Sequence, residues 1–476
     1  MKKYDVVVIG AGPGGTPAAI QLSRAGKNVL LVDDRGKPGG ECLFEGCIPS
    51  KTLEQSSDYF YLLKSMKDFG IDGGGAPSIN WEKVVQKKDK ILKHRSGMEI
   101  LLFDSIPTLT FVEGKAKFIS DNKIEIHNSA KSKATEAVSF DYAIIATGSK
   151  PFIPPIDGNG ISKVWTNKEM FDEKKLPESV VIIGAGAIGV EFAQMFAKVN
   201  VQTTVIEMLD RILPPVDSGF ADILHEKMVK EDGIVIHLSS KVKKIDYNDD
   251  KFITTFQLPD KSTQSIVSDR VIVASGRRAN IESLQLEKIN LLFNNKGIIV
   301  NDYLETNIKG IYAVGDIING PFFAHTASYE ALIAASNILN GNIKKTDFTK
   351  NSWVLFSDPE IASAGLTEEQ AAKMGYKTFT GIYDYKIDAR AQINDRPFGM
   401  LKFVAENQSG RLLGIHIFTE GAADLVGEAV LAISTKATIQ DIAEAIHPHP
   451  TLTEAFGILA KQMLSEMNKL KMGMEG

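Results

Sequence analysis

Short apolar runs, most of them ending in glycine, recur along the chain: Val6–Gly10, Val29–Val32, Ala143–Gly148, Val180–Gly184, Thr203–Glu207, Val271–Gly276 and Ile311–Gly315. Most are continuous in hydrophobicity rather than alternating. A strand covered by helices on both faces has that signature, because neither face meets water. Between some runs the period changes to that of a helix, as over Pro17–Arg24 and Val190–Lys198. The order strand, glycine turn, helix, strand occurs twice, the second copy 174 residues after the first. That is a duplication on the scale of a domain. It predicts two α/β domains built on parallel sheets.

From about residue 350 the pattern changes. Val354–Phe356, Met400–Val404 and Leu412–Phe418 predict strands of an antiparallel sheet, and Ala422–Ser434, Ile439–Ala445 and Leu452–Leu470 predict helices. This section reads as a separate α+β domain. Residues 151–157 (PFIPPID) hold three prolines and mark a boundary. Residues 72–78 (DGGGAPS) read as a loop. The resulting expectation is four segments, 1–150, 151–275, 276–346 and 347–476.

With 476 residues the chain is too long for one hydrophobic core. A net charge of −5 argues against nucleic acid or an acidic membrane surface as the main partner. No apolar run approaches the roughly 18–20 residues of a membrane span. The start, MKKYDVVVIGAG, reads as a first strand and not as a secretion signal, because its apolar run is short and breaks into glycines. A cytoplasmic location is expected. There thiols stay reduced, so a close cysteine pair points to redox or metal chemistry and not to a structural staple.

The first glycine motif, Gly10-Ala-Gly12-Pro-Gly14-Gly15, follows a strand and opens a helix. Its glycines allow a tight turn, close approach of backbone to a pyrophosphate, and close packing of helix on strand. Asp33 ends the next strand 23 residues after Gly10, where a carboxylate can accept from ribose hydroxyls. The second copy is Gly184-Ala-Gly186-Ala-Ile-Gly189, with Glu207 at the same spacing. Glu207 would repel a 2′-phosphate, and Met208, Leu209 and Asp210 supply no cation for one, which favours NAD over NADP. Thr147-Gly148 and Gly315-Asp316 close two further strands; each could be a plain turn, with Asp316 as a helix N-cap.

Cys42 and Cys47 are the only cysteines, in GGECLFEGCIPSK. Five residues of regular helix rise about 7.5 Å, whereas a disulfide needs Cα atoms about 4.4–6.8 Å apart. A bridge therefore requires a bend, which Gly46 can supply. Closing so small a loop constrains the unfolded chain little, so a reactive disulfide is favoured over a structural one. A zinc site, even with His447 and His449 added, and a pair of unrelated thiols are the alternatives. Lys51 follows on the same segment. It is either a surface lysine or a cation beside a flavin, for which Glu191 is a candidate partner. Near the other end, His-Pro-His-Pro-Thr-Leu-Thr-Glu at 447–454 offers a base for thiol exchange, with Glu454 placed to fix a tautomer. The same stretch also reads as a proline-bounded loop in which Thr451 or Thr453 caps the last helix.

Taken together, GAGPGG, GGECLFEGCIPSK, ATG, GAGAIGVE, GRR at 276–278, AVGD, AHTA at 324–327 and HPHPTLTE stand in the order found in the flavin-dependent disulfide reductases, the class I pyridine nucleotide-disulfide oxidoreductases. The chain resembles that family from about residue 4 to 465, and within it is most similar to the dihydrolipoamide-oxidising members. The resemblance implies two Rossmann-like dinucleotide-binding domains plus a C-terminal α+β dimerisation domain. Segment 1–150 would bind FAD, 151–275 NAD, 276–346 would complete the FAD site, and 347–476 would form a homodimer interface. Gly10, Gly12, Gly15, Asp33 and Asp316 would hold FAD, and Gly184, Gly186, Gly189 and Glu207 would hold NAD. Gly14, Gly40, Lys51, Thr147, Gly148, Gly315 and Gly276 would be further cofactor contacts. Cys42 would be the interchange thiol, Cys47 the thiol against the flavin, and Lys51 with Glu191 would flank the flavin. His449, oriented by Glu454, would be the acid–base, contributed by the partner subunit. The implied reaction is oxidation of a dihydrolipoyl protein of a 2-oxoacid dehydrogenase or glycine cleavage complex; reduction of another disulfide by NADH is the alternative. Glu41, Phe44 and Glu45 depart from the family pattern, and two carboxylates beside the thiols are expected to disfavour thiolates.

Overall fold

The computed structural model describes residues 1–73, 76–127 and 134–474. Of the loop read over 72–78, residues 74 and 75 lie outside the described residues, as do 475 and 476 of the last segment. The chain forms two compact units. The first holds residues 1–184, 195–208 and 240–346, and the second 185–194, 209–239 and 347–476.

In the first unit, strand Lys2–Ile9 lies between Val29–Asp33 and Ala134–Ile145, parallel to both. Leu109–Glu113 extends the sheet on one side in parallel, and Ile311–Ala313 adds in parallel to the end of Ala134–Ile145. The continuous apolar runs are explained by burial on both faces: Val6, Val7, Val8, Val29, Leu31, Ile144 and Ile145 are inaccessible to solvent. Packing of this kind stabilises each such side chain by about 1.5–3 kcal/mol. A second parallel set repeats the plan, with Ser179–Ile183 between Gln202–Ile206 and Arg270–Val273.

Other elements of this unit were not read in the sequence. Strands Lys115–Ser120 and Lys123–His127 form an antiparallel ladder. Lys241–Asn248, Lys251–Gln257 and Thr263–Ser268 form another. Two long helices, Cys47–Ser65 and Trp81–Asp104, follow the cysteine loop.

In the second unit, five antiparallel strands run in the order 352–355, 361–365, 412–418, 400–406, 378–384. Three were expected; Ile361–Gly365 and Thr378–Asp384 are additional. Helices Ala422–Thr435, Ile439–Glu444 and Glu454–Met474 occur where helices were expected. Their core includes Phe403, Ile415, Ile417, Phe456 and Leu459.

Candidate active site

The turn after Lys2–Ile9 is folded tightly. The Gly10 N–H donates to Val32 O (2.7 Å), and the Gly15 and Thr16 N–H groups both donate to Gly12 O (3.0 Å). Helix Thr16–Arg24 then begins, so its free N–H groups and the positive end of its dipole face the turn. Gly40 comes up against Gly12 from the cysteine loop. It has φ +59°, and a Cβ there would lie 2.5 Å from Gly12 Cα. Asp33 closes the cradle: Oδ2 accepts from Ala11 N–H (2.8 Å) and Oδ1 from Arg35 N–H (2.9 Å). Burial raises the Asp33 pKa, partly opposed by those two N–H groups. A narrow, glycine-rich turn at a helix N-terminus with a carboxylate beside it fits the pyrophosphate and ribose of a dinucleotide.

Thr147, Gly148, Gly315 and Asp316 belong to the same unit. Thr147 Oγ1 donates to Asn280 O (2.8 Å). Asp316 is not a helix N-cap; its Oδ2 accepts from Ser149 Oγ (2.6 Å). The Gly315 N–H donates to Glu330 (2.5 Å), a carboxylate 1% exposed on helix Ala324–Asn340. Gly184 repeats the role of Gly10, donating to Ile206 O (2.9 Å), and Gly186 O accepts from Val190 N–H (3.0 Å) as the helix Ala187–Lys198 carrying Gly189 starts. Glu207 is buried and its carbonyl accepts from Ser240 N–H (2.8 Å). Gly276 O accepts from Phe152 N–H (2.9 Å).

The bend required between the cysteines is present. Helix Gly40–Phe44 stops, Glu45 and Gly46 leave helical geometry, and a new helix starts at Cys47. A Cβ on Gly46 would stand 3.1 Å from Glu41 O and 3.3 Å from Cys42 Cα, so only glycine lets the chain fold back so closely. The two sulfurs are brought to 2.7 Å, well inside van der Waals contact, and a small displacement closes a bond of about 2.05 Å. Hydrogen bonding to Cys47 and then burial push the Cys42 thiol up.

Each carboxylate of the loop faces an arginine. Glu41 pairs with Arg277 Nη2, and Glu45 pairs with Arg35 Nη1 (2.9 Å), whose guanidinium also lies over the Phe44 ring (5.1 Å to its centre). The expected repulsion of thiolates is thus offset by cations that come from outside the motif. Lys51 bonds to Glu54 Oε2 (2.9 Å), three residues on along its helix, and Ser50 Oγ donates to Glu54 Oε1 (2.8 Å). Glu191 belongs to the second unit, where its Oε1 accepts from Phe356 N–H (2.9 Å).

In the second unit His449 Nδ1 is 3.0 Å from both oxygens of Glu454, and Glu454 Oε2 also accepts from Thr451 N–H (3.0 Å). The Thr451 N–H, and then His449, hold the Glu454 carboxyl below its usual range. Nε2 of His449 points away from this pairing, and the side chain is 73% exposed. His447 is clipped separately, with Nε2 2.9 Å from Glu428 Oε1. Among the described residues no cluster of three or more His, Cys, Asp or Glu side chains is arranged to hold a metal ion. Among the described residues no helix is long and apolar enough to cross a membrane.

Sequence reasoning missed Glu54, Arg277, Ser149, Arg35, Glu428 and Glu330. Glu54 could have been found from its i,i+3 spacing to Lys51. Glu330 could have been found as the one carboxylate in helix Ala324–Asn340. Arg277 lies in the GRR motif at 276–278, but its pairing with Glu41 across the chain has no spacing signal, and neither do the remaining partners.

Residues 4–331 match the family model for the pyridine nucleotide-disulphide oxidoreductases, and residues 351–460 match that family's dimerisation domain. The dihydrolipoyl dehydrogenase of Bacillus subtilis (strain 168) is 34% identical over 454 residues, which is 94% of this chain and 96% of that protein. The mitochondrial dihydrolipoyl dehydrogenase of Pisum sativum is 33% identical, over 95% of this chain and 89% of its own length. A leghemoglobin reductase from Glycine max is 32% identical, over 95% and 86%. Among solved structures, a Cu(II) complex of the HOCl-induced flavoprotein disulfide reductase RclA from Escherichia coli shares the fold, with TM-score 0.85, 24% identity and coverage of 97% of this chain and 100% of that one. With two Rossmann-like domains, a C-terminal α+β dimerisation domain, and FAD and NAD as its cofactors, this chain belongs to the pyridine nucleotide-disulphide oxidoreductases.

Proposed function

We propose that the protein oxidises dihydrolipoamide carried on a lipoyl protein, using NAD+ as the final acceptor. The observation that carries this reading is the 2.7 Å sulfur pair of Cys42 and Cys47, on a broken helix that abuts the dinucleotide cradle through Gly40. The choice of lipoamide is supported by relatives named dihydrolipoyl dehydrogenase that match along nearly the whole chain. The acid Glu207, with no cation immediately after it, supports NAD as the acceptor.

The residues act as follows in this reading. Glu454 holds Nδ1 of His449, so Nε2 is the basic nitrogen that takes the proton of a substrate thiol. The resulting thiolate attacks Cys42 Sγ, the S–S bond breaks, and Cys47 leaves as a thiolate. The second substrate thiol attacks the first substrate sulfur, and its proton passes to the departing Cys42 sulfur. Cys42 is released as a thiol and the substrate leaves as a cyclic disulfide. Two electrons now reside on the Cys42–Cys47 pair. Gly10, Gly12, Gly15, Asp33 and Asp316 would hold FAD, which would supply a two-electron acceptor for this pair and a hydride donor for NAD+. Gly184, Gly186 and Gly189 receive the NAD pyrophosphate, and Glu207 its ribose.

Residues 1–150 with 276–346 form the FAD-binding part, 151–275 the NAD-binding part, and 347–476 the interface of a homodimer in which His449 serves the partner's thiols. A lipoyl protein of a 2-oxoacid dehydrogenase or glycine cleavage complex is the macromolecular partner, and the cytoplasm is the compartment. A second reading, reduction of a different disulfide by NADH, is favoured by Glu41 and Glu45, two carboxylates that flank Cys42 in the sequence. Steady-state assays decide between them. The first reading expects kcat/KM for dihydrolipoamide with NAD+ to exceed that for glutathione disulfide or coenzyme A disulfide with NADH. The reverse order rejects it.

A further inference from the structure

We propose that Arg277 is a positioning residue for the redox disulfide, acting through Glu41 to hold the Cys42 turn and to balance the carboxylate beside it. The inference rests on the Cys42–Cys47 pair being the reactive centre, but not on which disulfide it exchanges with.

Glu41 directly precedes Cys42. Its carbonyl closes the five-residue helix by accepting from Glu45 N–H (2.7 Å), and the same carbonyl is the atom against which Gly46 folds back. Whatever holds Glu41 therefore holds the turn that returns Cys47 to Cys42. Its side chain is held by Arg277, on a strand (Arg277–Ala279) that pairs antiparallel with Ser149–Pro151. Arg277 is itself fixed: Nε donates to Ser149 Oγ (2.7 Å) and Nη2 to Ser149 O (3.0 Å), while Ser149 Oγ donates to Asp316. The side chains of Arg277 and Glu41 are 18% and 26% exposed, so solvent screens the pair only in part.

The charges around the centre are few. Glu41 is faced by Arg277, with Glu45 and Asp316 nearby. Cys42 is faced by Cys47, and by Arg95 from helix Trp81–Asp104. Glu45 is already balanced by Arg35 at 2.9 Å and Lys168 at 3.9 Å. On the same segment Lys51 is balanced by Glu54. Burial already pushes the Glu41 carboxyl up against the pull of Arg277, so removing Arg277 leaves Glu41 without its cation, and the fraction that stays ionised beside Cys42 disfavours a thiolate. Removing Glu41 leaves a cation, which favours one.

The test is the pH profile of iodoacetamide alkylation of the reduced, FAD-loaded protein, with the modified cysteine identified by peptide mass. This readout needs neither lipoamide nor NAD, so its failure is separable from failure of the substrate assignment. Arg277→Gln is expected to move the profile upward by about half a pH unit, or about threefold slower alkylation below the midpoint. Glu41→Gln is expected to move it downward by a similar amount, and the double variant to return near the parent. A merely structural role would lower melting temperature or flavin content without opposite shifts. If the two single variants move the profile in the same direction, in the reverse order, or not at all, the proposal is wrong. Glu41→Gln keeps the test available even if Arg277→Gln folds poorly, since its downward shift alone is required.

Discussion

The chemistry of this chain is concentrated in a few side chains whose partners define their roles. His449 has one ring nitrogen engaged by Glu454, and the proposed reading gives the other the substrate proton. Replacing His449 by Gln is expected to lower kcat for dihydrolipoamide oxidation by about 10²–10⁴-fold, the usual worth of a positioned base. Glu454→Gln should lower it less, because the histidine remains. Both variants should keep their flavin, which the visible absorbance ratio reports. The pH dependence of the contact follows from the lowered Glu454 pKa. A carboxylate with a depressed folded pKa stabilises above its unfolded value and loses that contribution only as pH falls through the lower folded value. The His449–Glu454 contact is therefore expected to persist at pH 5 and to be lost in more acidic solution, which the imidazole proton chemical shifts would follow.

At the scale of elements, turns and buried acids matter most. Gly40→Ala places a Cβ 2.5 Å from Gly12 Cα at a left-handed backbone position. We expect that variant to fold with reduced flavin content, measured as flavin absorbance per protein. Glu330 is a second case. Burial pushes its carboxyl up to about 7, with the Gly315 N–H opposing and Asp316 adding to the rise. Between its ordinary value near 4.5 and about 7 the folded state holds a proton that the unfolded state has lost, so stability falls as pH rises across that window. The full difference is about 3 kcal/mol. Glu330→Gln keeps an acceptor for Gly315 N–H, and its stability relative to the parent should improve from pH 5 to pH 8 in denaturant unfolding. An unchanged difference would show that Glu330 does not titrate there.

The same scale explains what could be read in advance. Most parallel strands were legible because burial on both faces makes them continuous in hydrophobicity; Leu109–Glu113, only partly buried, was not read. Helix Cys47–Ser65 was hidden because the polar Ser50, Thr52, Glu54 and Ser57 interrupt its buried apolar positions Pro49, Leu53 and Phe60. Helix Trp81–Asp104 likewise turns Lys88 inward, where the ammonium donates to Phe171 O (2.8 Å). Strand Lys251–Gln257 alternates, but one of its inward positions is Thr254. Strand Thr378–Asp384 carries Gly381 where Met463 and Leu459 press against the backbone. The motifs of the site were legible because each is contiguous. Arg277 and Glu330 were not assigned roles, because their targets are set by the topology of the chain and not by spacing.

For the molecule as a whole, the dimerisation domain and the proposed placement of His449 make a quaternary prediction. Mixed and reassociated Cys42→Ser and His449→Gln proteins, each inactive alone, should recover activity, because each heterodimer holds one intact site. Random reassociation gives about a quarter of parental activity. No recovery, with heterodimers verified by mass, would place thiols and base in one subunit.

The proposed reaction joins these scales, and it is tested by anaerobic mixing of the purified protein with excess dihydrolipoamide, followed by NAD+. The account predicts that the flavin spectrum gains a long-wavelength charge-transfer band, which the proposed reading assigns to the Cys47 thiolate, and that NADH then forms at a catalytic rate. A flavin that NADH reduces but dihydrolipoamide leaves unchanged would contradict the substrate assignment, and would direct attention to Glu41 and Glu45 beside the disulfide.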